Sequence, residues 1–296
     1  MTEQPTTQRK RRFGDRPDGW LVRDDDALHK IMPYLLRNRA DAEAFVQESI
    51  DLTQLNAYLE QKNANHDGYK YSIFQVVCAA ILKTVILRPK LNRFIQGRRV
   101  YERNNLSLAF VAKNQFSDDG GESLLMLRFQ QDDNLETIHQ AIDKHVHKVR
   151  DGDDDHTTDI INVVTKMPRW LLRIFIQILR FLDYYGRVPQ ALVYDEPNFA
   201  SVFLSNFGSI KLNAGYHHLN NWGTNSLFLV IGEKHLAPYY SADGTVEMRD
   251  TLPIGVTLDE RIADGYYYAK SVHLFKYLME HPQLLEAPFS QEVNYE

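Results

Sequence analysis

The chain has 296 residues, of which 44% are apolar and 25% charged, with a formal net charge of −5. That composition fits a folded globular protein. It argues against a nucleic-acid binder, which would present a strongly basic face, and Cys78, the single cysteine, excludes an internal disulfide. No apolar run reaches the roughly 18 residues of a spanning helix, and Met1 to Arg12 lacks an apolar signal core, so the chain reads as cytoplasmic.

Residues 1–25 are polar, with a basic cluster from Arg9 to Arg12, and read as a flexible arm. Residues 26–296 read as one domain. A helical pattern over Ala40 to Phe45 precedes a short strand near Gln47 to Ile50. Asp51 is placed to cap a helix that runs to about Gln61. Tyr71 to Leu87 is a buried helix, stopped at Arg88-Pro89. Phe94 to Gln96 and Arg98 to Tyr101 form a hairpin around Gly97. Strands follow at Leu106 to Ala112 and Leu124 to Phe129, then an amphipathic helix over Leu135 to Val149. Asp151 to Asp155 is an acidic loop without the glycine and glutamate spacing of a calcium-binding hand.

Residues 157–190 form a helical hairpin insertion. In its second half Arg169, Arg173, Gln177 and Arg180 fall on one stripe, and the other positions are largely apolar. Such a helix buries a wide face against the domain or a neighbouring subunit, or lies on a membrane surface with Arg169, Arg173 and Arg180 toward headgroups. Beyond Gly186 and Pro189 come strands at Ala191 to Tyr194, Ser201 to Leu204, Ser226 to Ile231 and Ile254 to Leu258. A last helix spans Gly265 to Met279. Helices mixed with hairpins imply an α/β chain, an α+β two-layer sandwich on a mixed sheet.

Three motifs carry a resemblance. Asp259-Glu260-Arg261-Ile262-Ala263-Asp264-Gly265 stands between a strand and a helix. Phe203-Leu204-Ser205-Asn206-Phe207-Gly208 lies upstream. Asp51-Leu52-Thr53-Gln54-Leu55 precedes the long helix that ends at Pro89. Their order and spacing resemble the coenzyme-A-dependent acyltransferases, the group of chloramphenicol acetyltransferase and the dihydrolipoyl acyltransferase catalytic domain. The resemblance implies coenzyme A as acyl carrier, a small-molecule acyl acceptor and a homotrimer with sites between subunits. It gives Ser205 the oxyanion role, and Asp264 with Gly265 a structural role in which Asp264 pairs with Arg37 or, less favoured, Arg39. The family's catalytic histidine is replaced by Glu260.

Glutamate is a weak base beside a thiol. Their ordinary pKa values of about 4.3 and 8.5 differ by roughly four units. His217 and His218, between the serine strand and the next, offer imidazole instead. Three readings stay open for them: ordinary packing, a base oriented by Glu260, or a metal set with Glu260. Function reads as acyl transfer with altered base chemistry, or as a catalytically silent relative that binds a ligand or partner.

Overall fold

A computed structural model describes residues 9–113, 122–150, 166–189 and 192–295, without the side chains of 112, 113, 122, 123 and 146–150. The acidic loop at Asp151 to Asp155 and the first arm of the expected 157–190 hairpin lie outside the described residues.

Ten strands and six α-helices are described. The main sheet runs β2-β10-β8-β7-β5-β6, with β9 paired to β10. Its strands are β2 (Glu43–Asp51), β5 (Leu106–Lys113), β6 (Glu122–Phe129), β7 (Val202–Asn206), β8 (Leu227–Ile231), β9 (His235–Tyr240) and β10 (Val246–Asp259). β7 is parallel to both β5 and β8, and the other pairings are antiparallel, so the sheet is mixed. A smaller antiparallel sheet joins β1 (Gly19–Leu21), β4 (Arg99–Arg103) and β3 (Arg93–Gln96).

Four helices line one face of the main sheet: α2 (Thr53–Ala64), α3 (Ile73–Leu87), α4 (Leu135–Arg150) and α6 (Gly265–Glu280). α3 is apolar nearly all round, which fits its central place. Its start is a capping box, with Ser72 and Gln75 each bonded to the other's backbone. The period-2 alternation of strands divides the sheet's side chains cleanly. Val202, Leu204, Leu227, Leu229 and Ile231 join the helix-side core. Phe203, Phe228 and Val230 form a second, smaller cluster on the opposite face with Ala109, Ala200 and Leu219. Ser205 points to that second face, two residues beyond Phe203.

Several expectations are corrected. The arm is not loose from Arg16 onward: β1 pairs with β4, and Arg16 is buried. β2 begins at Glu43, where a helical pattern was expected, because only the single turn Ala40–Ala42 precedes it. Leu52 holds the cap position of α2, although Asp51 still accepts from the Thr53 N–H at 2.9 Å. No strand forms over the described part of Ala191 to Tyr194, where the Asp195-Glu196-Pro197 sequence turns the chain. The β9–β10 hairpin, closed at Gly244, had no counterpart in the sequence reading.

α5 (Arg169–Tyr184) is anchored at its C-terminal end. The Arg16 guanidinium donates to the Asp183 carboxylate at 3.0 Å and to its carbonyl at 2.6 Å. Leu172, Phe175, Leu179 and Leu182 are half-buried, whereas Trp170, Ile174, Ile178 and Phe181 are exposed. The arginine stripe lies beside this exposed apolar stripe. No described helix is long and apolar enough to cross a membrane.

Candidate active site

The second face of the sheet carries a cavity of about 500 Å³. Ser205, Asn206, Asn225, His217, His218 and Phe228 are among its walls. Two of these positions were legible from the motif around Ser205, and the paired histidines were singled out as imidazole supply. Asn225 and Phe228 were missed, since neither stands in a recognisable motif. The phase of β8 could have placed Phe228, as it alternates with Leu227 and Leu229.

The histidines reach the cavity because a loop crosses the sheet face at unusually short range. A Cβ at Gly255 would overlap the Gly215 carbonyl, and one at Gly232 would overlap the Ala214 backbone. Glycine within β10 and just beyond β8 therefore admits a second backbone. Loop ends are pinned by the Glu233 N–H on the Leu212 carbonyl at 2.8 Å and by the Leu219 N–H on the Glu43 carboxylate at 2.5 Å. Between the pins the His217 ring stacks on Phe228 with centroids 4.4 Å apart, and on His218 at 4.6 Å. His217 Nδ1 lies 3.1 Å from the His218 carbonyl. A carbonyl only accepts, so that contact selects the Nδ1–H tautomer and leaves Nε2 as a proton acceptor. The Ser205 hydroxyl has no hydrogen-bond partner among the described residues, so it is available to donate.

Glu260 stands elsewhere. In the ladder Ser205 is level with Val230, and Val230 with Gly255. Glu260 lies five residues past Gly255, roughly 16 Å along the strands and about 10 Å across them. It does not line the serine cavity and its side chain is exposed. The histidine loop runs toward this end of β10, since Leu219 bonds Glu43 and Glu43 is level with Asp259, but among the described residues no hydrogen bond joins Glu260 to His217 or His218 and the three do not meet as a ligand set.

The loop carrying Glu260 is tied down at several points. Arg261 and Asp259 form a buried two-point ion pair, with Nε–Oδ1 at 2.7 Å and the second contact at 2.6 Å. Arg261 also donates to the Leu36 carbonyl at 2.9 Å, and the Glu260 N–H to the Ala42 carbonyl at 2.9 Å. The expected pairing of Asp264 with Arg37 is not formed among the described residues. Asp264 is exposed and instead caps α6, accepting from the Tyr267 N–H at 2.9 Å. That bond holds its carboxyl below the ordinary range. Arg37 is exposed, and Arg39 is buried on neutral acceptors: the carbonyls of Ile95 and Asn220 and the Gln96 amide. Gly265 opens the helix with open space where its Cβ would lie.

One group of ligand-type side chains meets among the described residues: Asp25, Asp26 and His29. Each is already engaged. Asp26 caps α1 (Ala27–Leu35) and bonds the His29 ring at 2.6 Å, and Asp25 pairs with Arg93 at 3.5 Å.

No protein-family model and no curated protein matches the sequence. Solved structures do match in fold, and those with the stronger similarity are acyltransferase catalytic domains. The chain has the fold of dihydrolipoamide acetyltransferases. A probable dihydrolipoamide acetyltransferase from Listeria monocytogenes superposes with a TM-score of 0.58 at 14% identity, over 94% of this chain and 99% of that one. Azotobacter vinelandii dihydrolipoamide acetyltransferase, probed in its catalytic mechanism at a serine, a histidine and an asparagine, gives 0.58 at 15%, over 89% and 94%. A truncated catalytic core of the Thermoplasma acidophilum 2-oxoacid dehydrogenase complex gives 0.54 at 14%, over 88% and 98%.

Proposed function

We propose that the protein transfers an acyl group from an acyl coenzyme A to a small nucleophile in the Ser205 cavity, with His217 as the base. The observation that carries this reading is the presence of an unpartnered serine hydroxyl and two imidazoles in one cavity of one protomer. The fit to an acyl thioester rests on the donor set. A hydroxyl with no competing partner suits an oxyanion, and the Phe203–Phe228 stack gives the cavity an apolar wall for an acyl or pantetheine chain.

His217 Nε2 takes the proton from the acceptor's thiol, hydroxyl or amine as that atom attacks the thioester carbon. Ser205 donates to the carbonyl oxygen as it becomes anionic. When the carbon–sulfur bond breaks, the proton on His217 passes to the departing sulfur, so charge and protons balance.

The Azotobacter protein's histidine and asparagine are four positions apart, as are Glu260 and Asp264 here. We read Glu260 as standing at the ancestral base position and His217 as having taken over the proton. In a homotrimer, Glu260 of a neighbouring subunit would approach the mouth of the Ser205 cavity. The test is coenzyme A thiol release from acetyl coenzyme A with a panel of thiol, hydroxyl and amine acceptors. Release abolished by Ser205→Ala and by His217→Gln supports the reading. Acetyl coenzyme A binding with no release from any acceptor supports the silent alternative.

The outer stripe of α5 has a separate reading, contact with an anionic membrane surface through Arg169, Arg173 and Arg180. None of the three has a carboxylate partner among the described residues. Liposome pelleting that falls in Arg173→Glu tests it.

A further inference from the structure

A second cavity, of about 430 Å³, opens between α5, the β3–β4 turn and the segment that follows α1. Five arginines line it: Arg37, Arg39, Arg98, Arg180 and Arg261. Asp183 is the only carboxylate in its wall among the described residues, and it is bound by Arg16 and by the Gln96 amide. Asp259, which sits behind Arg261, is engaged by that residue through both oxygens. Asp259 offsets Arg261 and Asp183 is taken by Arg16, so Arg37, Arg39, Arg98 and Arg180 have no carboxylate partner among the described residues.

The buried member is the informative one. Arg39 is 4% exposed and has no carboxylate partner among the described residues. Its Nε is buried with no acceptor. Burial, together with the neighbouring Arg261 charge and against the pull of Asp259, brings its pKa down to about 10. A guanidinium placed so deeply without a counter-charge is costly. The rim carries a second cost. Arg98 has a φ of 60°, in the left-handed region that a non-glycine residue rarely adopts. Gly97 beside it has a φ of 56°, and any Cβ there would overlap the Tyr184 carbonyl of α5. The turn is thus locked against the helix, and Arg98 is held on the same opening as Arg180.

We propose that this cavity binds a phosphate-bearing ligand of at least two negative charges, which supplies the counter-charge that Arg39, Arg98 and Arg180 lack. Guanidinium groups match phosphate oxygens in geometry and stay charged throughout the accessible pH range. Among the described residues the cavity shares no wall residue with the Ser205 cavity. The proposal therefore does not rest on acyl transfer.

The probe is inorganic pyrophosphate, titrated calorimetrically into the full-length protein at neutral pH and low salt. Wild type binds it, and Arg98→Glu and Arg180→Glu each weaken binding about tenfold or more. Lys144→Glu, an exposed change on α4 outside the cavity, leaves it unchanged. Both cavity variants change exposed side chains, and thermal melts check that they fold. Vesicles of phosphatidylcholine with phosphatidic acid, added as competitor, identify the source: displacement of pyrophosphate points to a lipid headgroup, and no displacement to a soluble phosphate ester. Failure of wild type to bind pyrophosphate, or equal binding by Arg98→Glu and Arg180→Glu, overturns the proposal.

Discussion

At the scale of single residues the site turns on which group moves the proton. If His217 is the base, Glu260→Gln keeps thiol-release activity within a few-fold, whereas Ser205→Ala lowers kcat by about 10²–10³ with little change in KM. A loss on Glu260→Gln as large as that of His217→Gln would return the role to Glu260. His139 offers a stability prediction. Its ring is buried, stacked on Tyr71 at 3.9 Å, with Nδ1 3.1 Å from Gln75 Oε1. Burial lowers its pKa from the ordinary 6.5, so the folded state favours neutral imidazole. The unfolded chain therefore binds more protons below pH 6.5. Stability contributed by His139 is complete above that value and falls as pH drops through the folded pKa. Denaturant melts at pH 7.5 and 5 should show this loss, and His139→Phe should flatten it.

At the scale of elements, the attachment of α5 is the feature to test. Arg16 reaches it from the N-terminal segment and meets Asp183, with both side chains less than a tenth exposed. Removing one partner leaves a buried charge, so Arg16→Ala should cost about 3–5 kcal/mol in urea melts. The Arg16→Ala, Asp183→Ala double variant should lose clearly less than the two single losses combined. Additive losses would mean that the pair is not coupled. The crossing of the histidine loop over β8 and β10 is equally local. Gly255→Val should lower Tm and displace the His217 and His218 imidazole signals in NMR spectra, because its side chain would occupy the space of the Gly215 carbonyl.

These elements differ in how far the sequence revealed them. α3 and α6 carry unbroken apolar patterns with clear stops, and the β3–β4 hairpin carries Gly97, so local chemistry was enough. Arg16 sits in a polar stretch and earned no structural reading, because its partner is 167 positions away. The start of β2, Glu43 to Phe45, was hidden by helix-favouring residues whose conformation β10 overrides through the nine paired positions of the strand. The Ser205 motif was legible as a short string. Its relation to His217 was not, since that depends on two glycines admitting a loop across the sheet.

For the whole molecule, the fold is that of acyltransferase catalytic domains, and the face of the sheet opposite α2, α3, α4 and α6 carries the serine cavity. We expect that face to meet neighbouring copies, with a solution mass three times the 34.4 kDa chain by sedimentation equilibrium. A monomer at micromolar concentration would remove Glu260 from any site containing Ser205.

The most direct measurement is a titration of acetyl coenzyme A into wild type and Ser205→Ala, followed by thiol release with the acceptor panel. The account predicts saturable binding by both proteins and release only by wild type. Absence of binding by wild type, or equal release by the two proteins, would contradict it.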